Sequence, residues 1–213
     1  MLKLNLPHDP QLRILCLGAH CDDIEIGCGG TLLRLLDEYD VAVVKWIVFS
    51  GNEMRKKEAR VSAEYFTRGQ KAEIKILNFP DARFSFKGLE IKAFFESIKS
   101  FEPSLIFTHC QNDQHQDHRF INQLSWNTFR NHMILEYEIP KFDGDLGQPT
   151  CYVPLSLPFV EMKVDTILRC FESQRSKHWF DAETFRSLLR LRGMECASAS
   201  RYAEAFYVRK WLI

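Results

Sequence analysis

Two short stretches of this sequence concentrate side chains that bind metal ions and transfer protons. The first is HCDD at residues 20–23, and the second is DQHQDH at residues 113–118. Three of the chain's seven histidines lie between residues 109 and 118, together with two aspartates. A solvated polar loop would account for the second stretch alone, but two such stretches in one chain indicate a joint site.

The chemistry that these residues suit best is divalent-metal catalysis. Neutral imidazole and carboxylate groups are good ligands for Zn²⁺, and a catalytic zinc has three protein ligands and one open position. His20 and Asp23 are three residues apart and can converge on one ion across a turn. Because adjacent side chains point in different directions, we expect one of Asp22 and Asp23 to bind the ion and the other to face its bound water. Helix capping would explain one acid, but not both acids together with His20.

Apolar runs alternate with segments of helical period along most of the chain. This pattern predicts strands at residues 13–18, 41–49, 74–79, 105–108 and 205–209, and helices at residues 29–39, 53–68, 88–101, 117–131, 160–172 and 181–192. Strands separated by helices imply right-handed crossovers, so we expect an α/β, Rossmann-like fold with a mostly parallel sheet and helices on both faces. Residues 140–158, rich in glycine and proline, predict a long loop or irregular strands. No repeat or linker divides the chain, so residues 1–213 are expected to form a single domain.

Both polar stretches directly follow predicted strands, at residues 13–18 and 105–108. Ligands of open parallel sheets bind at the carboxyl ends of the strands, and the first and fourth strands are natural neighbours in a doubly wound sheet. We therefore expect the two loops to meet at the carboxyl ends of these two strands. The glycine cluster at residues 27–30 is expected to let the backbone turn tightly and pack closely before the helix at residues 29–39.

Composition favours a globular protein and argues against some partners. Hydrophobic residues make up 46% of the chain and charged residues 26%. The formal net charge is zero, which argues against a nucleic-acid partner. No apolar stretch approaches the roughly 20 residues of a membrane span, and we expect no signal peptide at the N-terminus. The seven cysteines form no CxxC pair, so we expect a cytoplasmic protein without disulfides; a homo-oligomer is left open.

The two stretches resemble the paired signatures of a known family. Residues 20–23 followed by residues 27–31 resemble the HPDD…GxGGT motif of the LmbE-like, or PIG-L, zinc-dependent N-acetylglucosaminyl de-N-acetylases, and residues 113–118 resemble that family's DxHxDH motif. Weaker likenesses follow in the family's order at residues 50–53, 55–58, 79–81, 173–174 and 202–206. The resemblance spans nearly the whole chain and implies an LmbE-like fold.

The resemblance also implies a ligand set and a base. Zn²⁺ would be held by His20, Asp23 and His118, although such a triad also accepts Fe²⁺, Co²⁺ or Mn²⁺. Asp22 would be the general base that takes a proton from the attacking water. The expected reaction is removal of an N-acetyl or other small N-acyl group from an amino sugar of the N-acetylglucosamine type, a small-molecule substrate.

The remaining roles concern the oxyanion, the leaving amine and the substrate. His115, kept in its charged form by Asp117, is expected to stabilise the oxyanion and then protonate the leaving amine. The side chains that we expect near the substrate are Arg55, Asp81, His109 and Arg119.

Other interpretations stay open at this point. The chain has no GxGxxG motif and places acids before its glycine cluster, which argues against a dinucleotide site. A Rossmann-like nucleotide- or sugar-binding protein without hydrolytic activity is the main alternative, and a family member that keeps the fold without turnover is another. Cys21 stands where the family usually has proline, so a thiol lies near the expected metal and offers a Cys/His nucleophile.

Overall fold

The structure is a computed structural model that describes residues 11–210. The prediction of no signal peptide concerns mainly residues 1–10, which lie outside this range. The strands are β1 (Leu12–His20), β2 (Val41–Ser50), β3 (Ala72–Ile76), β4 (Leu105–His109), β5 (Met133–Tyr137), β6 (Cys151–Pro154) and β7 (Ala203–Tyr207). The helices are α1 (Asp23–Glu38), α2 (Glu53–Phe66), α3 (Gly88–Ser97), α4 (Gln116–Thr128), α5 (Leu157–Cys170) and α6 (Ala182–Glu195), with short 3₁₀ turns at Phe84–Lys87, Lys99–Phe101 and Glu172–Gln174. Within the described range, no helix has both the length and the apolar character needed to cross a membrane.

In the described part of the chain, the strands form one seven-stranded sheet in the order β3-β2-β1-β4-β5-β7-β6. The first five strands in this order, β3, β2, β1, β4 and β5, pair in parallel. Strand β7 pairs antiparallel with both β5 and β6. The predicted α/β, Rossmann-like fold with a mostly parallel sheet is confirmed. The predicted neighbourhood of the first and fourth strands is confirmed as well, because β1 pairs with β4 from Ile14 opposite Leu105 to Cys16 opposite Phe107.

The central strands are buried on both faces because successive side chains point to opposite sides of the sheet. In β1, Ile14 and Cys16 join the apolar cluster covered by α1, α2 and α5, whereas Leu15 and Leu17 join the cluster covered by α3 and α4. This two-sided burial explains why the strand appears in the sequence as a continuous apolar run.

Helix α1 begins at Asp23, well before the predicted start at residue 29. The glycines at residues 27–30 therefore lie inside the helix, and the predicted tight turn there was wrong. Their close packing is confirmed: a Cβ at Gly27 would lie 2.2 Å from the Tyr137 ring, and one at Gly30 would lie 2.4 Å from Leu155. The glycines let the helix approach β5 and the segment that follows β6.

The part of the fold after α4 differs most from the prediction. Strand β5 was not predicted. It has only five residues and follows α4 after a short connection, so its hydrophobic pattern does not stand apart from that of the helix. The stretch at residues 140–158 contains β6, which pairs with β7 from Cys151 opposite Phe206 to Pro154 opposite Ala203. These antiparallel strands extend the sheet beyond β5 and carry α5 and α6 back over the face on which α1 lies.

Candidate metal centre

The first loop holds His20, Asp22 and Asp23 at the carboxyl end of β1. Asp22 has a left-handed backbone conformation with φ 112°, which aspartate adopts more readily than most residues. This turn makes Asp23 the first residue of α1, where its Oδ2 accepts a hydrogen bond of 2.6 Å from the His20 backbone N–H. The two adjacent carboxylates consequently have different partners.

The second loop lies beside the first because β4 pairs with β1. His115 caps the N-terminus of α4, where its Nδ1 accepts a hydrogen bond of 3.3 Å from the backbone N–H of Asp117. His118 follows in the first turn of α4 and is buried. The first turn of this helix thus carries imidazole groups towards the end of β1.

Three ligand atoms of the two loops converge. His20 Nδ1 lies 3.2 Å from His118 Nε2, and Asp23 Oδ2 lies 3.6 Å from each of these nitrogens. Ligands at about 2.0–2.1 Å from a tetrahedral ion are roughly 3.3 Å apart. The arrangement therefore has the size that a zinc-like ion needs, and all three residues are buried.

Carboxylates lie on the far side of each imidazole, and Asp113 makes the hydrogen bond that fixes the His118 ring. His118 Nδ1 lies 2.9 Å from Asp113 Oδ2. His20 Nε2 lies 2.8 Å from Asp81 Oδ1 and 3.4 Å from Asp117 Oδ2. Histidines that bind metals usually donate their second ring N–H to such a carboxylate. These contacts leave His20 Nδ1 and His118 Nε2 as the nitrogens that face each other, so the residues present fit a divalent ion.

The electrostatics of His118 and Asp23 agree with that fit, whereas His20 must lose a proton before it can bind an ion. Burial lowers the pKa of His118 to about 4, with the neighbouring His109 acting in the same direction, so its imidazole is in the neutral form that binds metals. Burial opposes ionisation of Asp23, but His118 and His109 outweigh it and hold the pKa of Asp23 well below its usual value. For His20, burial is outweighed by contacts with Asp117, Asp23 and Asp81, and its pKa is raised. The pocket thus favours positive charge on the His20 side.

Alternative ligand sets overlap this one. Among residues 11–210, three further groups of side chains have ligand atoms close enough to share an ion: His20 with His115 and His118, Asp23 with His109 and His118, and His20 with Asp81 and Asp117. In the second group, His109 Nε2 already accepts a hydrogen bond of 2.9 Å from the backbone N–H of Ala19, which engages its lone pair. His109 is also fully buried and stacks on the His118 ring at 3.8 Å. The prediction of a contact between His109 and substrate therefore does not agree with its burial.

Asp22 lies beside this group and is held by a cation. Its Oδ1 accepts a hydrogen bond of 2.9 Å from Arg55 Nη2, which also donates to the Cys21 carbonyl. Burial raises the pKa of Asp22 to about 6, against the opposing effect of Arg55. Arg55, which we expected near the substrate, thus contacts the predicted base directly.

Cys21 is buried beside the end of β2. Its Sγ donates to the Ser50 carbonyl at 3.4 Å, and burial raises the pKa of the thiol to about 12. A thiol that stays protonated is a poor nucleophile and a poor ligand. The Cys/His alternative therefore has no support in the structure.

The prediction that the carboxylate of Asp117 holds a charged His115 needs correction. Asp117 instead accepts hydrogen bonds from the backbone N–H groups of Ala82, at 2.7 Å, and Phe84, at 3.2 Å, and lies against His20. Burial and the nearby His20 lower the pKa of His115. The physical reason is the position of Asp117 in the first turn of α4, where its side chain turns towards the segment after β3.

Arg119 and Lys141 secure the second loop from outside. Arg119, which we expected near the substrate, donates from Nη1 to the carbonyls of Asp113 and Gln114 and so braces the loop. Lys141 Nζ lies 3.1 Å from Asp113 Oδ1. Lys141 is a single lysine in the irregular stretch after β5, and no local pattern marks it as part of a site.

The family comparison agrees with this site. The profile of the family described as PIG-L: GlcNAc-PI de-N-acetylase matches residues 15–129, which include both loops. The chain is also 36% identical over 139 residues to YaiS of Escherichia coli K12, an uncharacterised deacetylase, and the match covers 60% of this chain and 74% of that protein.

Solved structures share the fold at low sequence identity. The N,N'-diacetylchitobiose deacetylase from Pyrococcus horikoshii superposes with a TM-score of 0.74 at 20% identity, over 95% of this chain and 85% of that one. GalB, the 4-carboxy-2-hydroxymuconate hydratase of Pseudomonas putida KT2440, superposes with a TM-score of 0.75 at 13% identity, over 95% and 98% of the two chains. Because these neighbours include a hydratase and a deacetylase, the fold alone does not select the reaction.

Proposed function

The chain belongs to the PIG-L family of de-N-acetylases, and on that premise we propose that it is a zinc-dependent hydrolase. The reaction is the removal of an N-acetyl or small N-acyl group from an amino sugar of the N-acetylglucosamine type. Water and the amide are consumed, and a carboxylate and a free amine are formed.

One observation carries this proposal. His20 Nδ1, Asp23 Oδ2 and His118 Nε2 come within 3.6 Å of one another, and the carboxylate of the adjacent Asp22 is turned to a different partner. Three ligands with an open position are typical of catalytic zinc sites, whereas structural sites use four protein ligands. A general base beside such a site, here Asp22, can take a proton from water during hydrolysis.

The proposed ligands are His20, Asp23 and His118. A divalent ion bound there would supply a Lewis acid that acidifies water and polarises the acyl oxygen. Asp113 holds His118 in the required tautomer by accepting from Nδ1, and Asp81 lies 2.8 Å from His20 Nε2. The protein thereby sets the direction of the His118 imidazole before any ion binds.

Asp22 is proposed to take the proton of the attacking water. Its Oδ1 is engaged by Arg55, so Oδ2 is the oxygen that would receive the proton. The same carboxyl group then returns the proton to the leaving nitrogen, which completes the cleavage of the carbon–nitrogen bond. Arg55 keeps the carboxylate aimed at the reacting atoms.

His115 is proposed to donate a hydrogen bond to the acyl oxygen. Because its Nδ1 accepts from the backbone N–H of Asp117, the proton of the neutral ring is on Nε2. That N–H can stabilise negative charge as it develops on the acyl oxygen. This role replaces the charged general acid that the sequence suggested.

The sugar class and the metal rest on the relatives. The family description names GlcNAc-PI, and the Pyrococcus neighbour acts on N,N'-diacetylchitobiose. Another neighbour is the zinc-inhibited form of the teicoplanin deacetylase Orf2. The first two names support an N-acetylated amino sugar for this chain. The third supports zinc binding in this fold, although zinc inhibits that neighbour. The cytoplasmic location expected from the cysteines stays a prediction.

The direct test is amine release. Purified protein would be incubated with N-acetylglucosamine and N,N'-diacetylchitobiose, with and without one equivalent of added Zn²⁺, and primary amine and acetate would be measured. We expect both products in equal amounts, with zinc restoring the rate after treatment with a chelator. Metal binding without release of either product from any N-acetylated sugar would contradict the proposal and favour a sugar-binding protein.

A further inference from the structure

Strand β3 lies at an edge of the sheet with one side unpaired. Within residues 11–210 its one strand neighbour is β2, and the two pair in parallel along the whole of β3. The Val44 N–H donates to the Lys71 carbonyl, and the Leu77 N–H donates to the Val48 carbonyl. Because backbone groups alternate in direction along a strand, the odd-numbered residues of β3 bond to β2. The even-numbered residues direct their N–H and C=O groups outward, away from β2: Ala72, Ile74 and Ile76.

This edge is also the more accessible of the two. An open groove of about 390 Å³ lies against Ala72 and Ile74, and its other walls are the second half of α2 and the turn that joins α2 to β3. The opposite edge, β6, has four residues and ends in Pro154, which has no N–H to donate. The Pro154 carbonyl accepts a hydrogen bond of 2.9 Å from Arg34 Nη1. The room for an added strand is therefore beside β3.

The sequence of β3 is complementary to itself in an antiparallel pair. When Ile74 lies opposite Ile74 of a second copy, Glu73 lies opposite Lys75, and Ala72 lies opposite Ile76. In such a pair, each residue whose backbone groups face the partner exchanges two hydrogen bonds with the residue opposite. In this register these are the even-numbered residues. The residues between them form the closer, non-hydrogen-bonded pairs, where charged side chains interact most strongly.

The charges of β3 favour this partner over an unrelated strand. Glu73 is 53% exposed and lies 2.9 Å from Lys45 of β2, so it stays within reach of a second cation. Lys75 is exposed, with its Nζ over the Phe94 ring. Charged residues on an edge strand usually prevent edge-to-edge association. Here the two signs are arranged so that antiparallel pairing of two copies sets each carboxylate opposite an ammonium group.

We infer that β3 is a self-association edge, at which two copies of this chain pair antiparallel around Ile74 and join their sheets into one. The side chains of the even-numbered residues of each copy occupy the groove of the other. Because the paired strands run in opposite directions, the carboxyl ends of the two sheets, and with them the candidate metal centres, face opposite ways. The association is thus independent of the proposed hydrolysis.

The first test is the oligomeric state as a function of concentration. Sedimentation velocity of the wild type should show twice the mass of one chain as concentration rises. Ile74→Pro removes an outward N–H and keeps the bonds that the odd-numbered residues make to β2, so we expect it to weaken association about tenfold or more. The control is Glu161→Lys, which reverses an exposed charge of the Glu161–Arg186 pair on α5 and α6 and should associate as the wild type does.

The second test reverses charges within the register. Glu73→Lys places a lysine opposite Lys75, and Lys75→Glu places a glutamate opposite Glu73, so each variant alone should weaken self-association about 10- to 100-fold. An equimolar mixture of the two variants sets unlike charges opposite each other again and should associate. Thermal melting by circular dichroism would check that each variant is folded.

Three results would overturn the inference. One is a wild type that stays monomeric at every concentration. Another is an association that survives Ile74→Pro and both charge reversals, because it would place the interface elsewhere. The third is a mixture of the two folded charge variants that does not associate.

Discussion

At Asp22 the backbone adopts φ 112°, and this one turn decides how two adjacent carboxylates are used. In a continuing strand, successive side chains would point to opposite faces of the sheet. The turn instead makes Asp23 the first residue of α1, facing two imidazoles, while Asp22 meets Arg55. A ligand and a base can therefore come from neighbouring positions in the sequence.

Replacing Asp22 with asparagine should slow catalysis strongly and leave the metal in place. The amide has nearly the shape of the carboxylate but cannot accept the proton, so we expect kcat to fall about 10²- to 10⁴-fold. Metal content would be measured by elemental analysis on the same preparation. A variant that lost its metal would make Asp22 a ligand, contrary to the assignment.

Asp113 should control metal affinity through His118. Its two oxygens accept from different donors, Oδ1 from the His115 backbone N–H at 2.8 Å and Oδ2 from His118 Nδ1. An asparagine offers a single acceptor, so Asp113→Asn turns a donor towards one of them. We expect metal affinity to fall about 10- to 100-fold in chelator competition. The more exposed Asp143→Asn is the control, and equal affinities in the two variants would argue against this role.

Much of the proposed ligand set was predictable from the sequence, whereas the partners of the ligands were not. The histidines and acids stand out because their types and spacing are unusual within two short stretches. The contacts of Asp81 with His20 and of Lys141 with Asp113 join loops that are distant in the sequence. Such contacts depend on the sheet order and on loop conformation, which no local pattern encodes.

At the scale of elements, α1 is held along its length as well as at its first residue. The Glu204 carboxylate of β7 accepts hydrogen bonds from the backbone N–H groups of Gly30, at 2.8 Å, and Thr31, at 2.6 Å. Lys163 of α5 donates to the Ile26 carbonyl at 2.6 Å and pairs with Glu204. This buried pair fixes the helix that presents Asp23.

A methyl group at Gly27 should destabilise the protein. It would overlap the buried Tyr137 ring, whose hydroxyl donates to the Leu17 carbonyl at 2.6 Å and leaves the ring little freedom to move. We expect Gly27→Ala to lower the free energy of unfolding by about 1–3 kcal/mol in urea titrations. Gly88→Ala, where the nearest atom is an ordinary contact with Phe120 at 3.4 Å, should be neutral or slightly stabilising. Equal stability of both variants would contradict the close packing of α1.

The sequence predicted the type of most elements, and the failures have local causes. Glycines at residues 27–30 indicate a turn by propensity, but close packing against Tyr137 and Leu155 keeps them helical. Strand β6 has four residues and is stabilised by pairing with β7, near the end of the described chain. Its formation depends on a partner that a local pattern cannot identify.

At the scale of the whole molecule, the sheet places all the proposed ligands at the carboxyl ends of two neighbouring strands, β1 and β4. The loops after β1 and β4 supply them, and the segments after β3 and β5 supply Asp81 and Lys141. Two apolar clusters on opposite faces of the sheet fix the strands from which these loops emerge. The rigid core thus sets the distances between side chains that are far apart in the sequence.

Metal removal should lower thermal stability because the ion binds the folded state. With free Zn²⁺ at 100 times its dissociation constant, binding adds about 2.7 kcal/mol. For a chain of this size, that corresponds to a rise in Tm of about 5–11 °C over the chelator-treated protein. Scanning calorimetry would measure it, with His118→Ala as the control whose Tm should respond little to zinc. Equal responses in the two proteins would place the ion elsewhere.

The most direct measurement is anomalous diffraction at the zinc absorption edge from crystals of the zinc-loaded protein. The account predicts one strong peak within about 2.0–2.2 Å of His20 Nδ1, Asp23 Oδ2 and His118 Nε2. A peak beside other side chains, or no peak at the carboxyl ends of β1 and β4, would contradict the proposed metal centre.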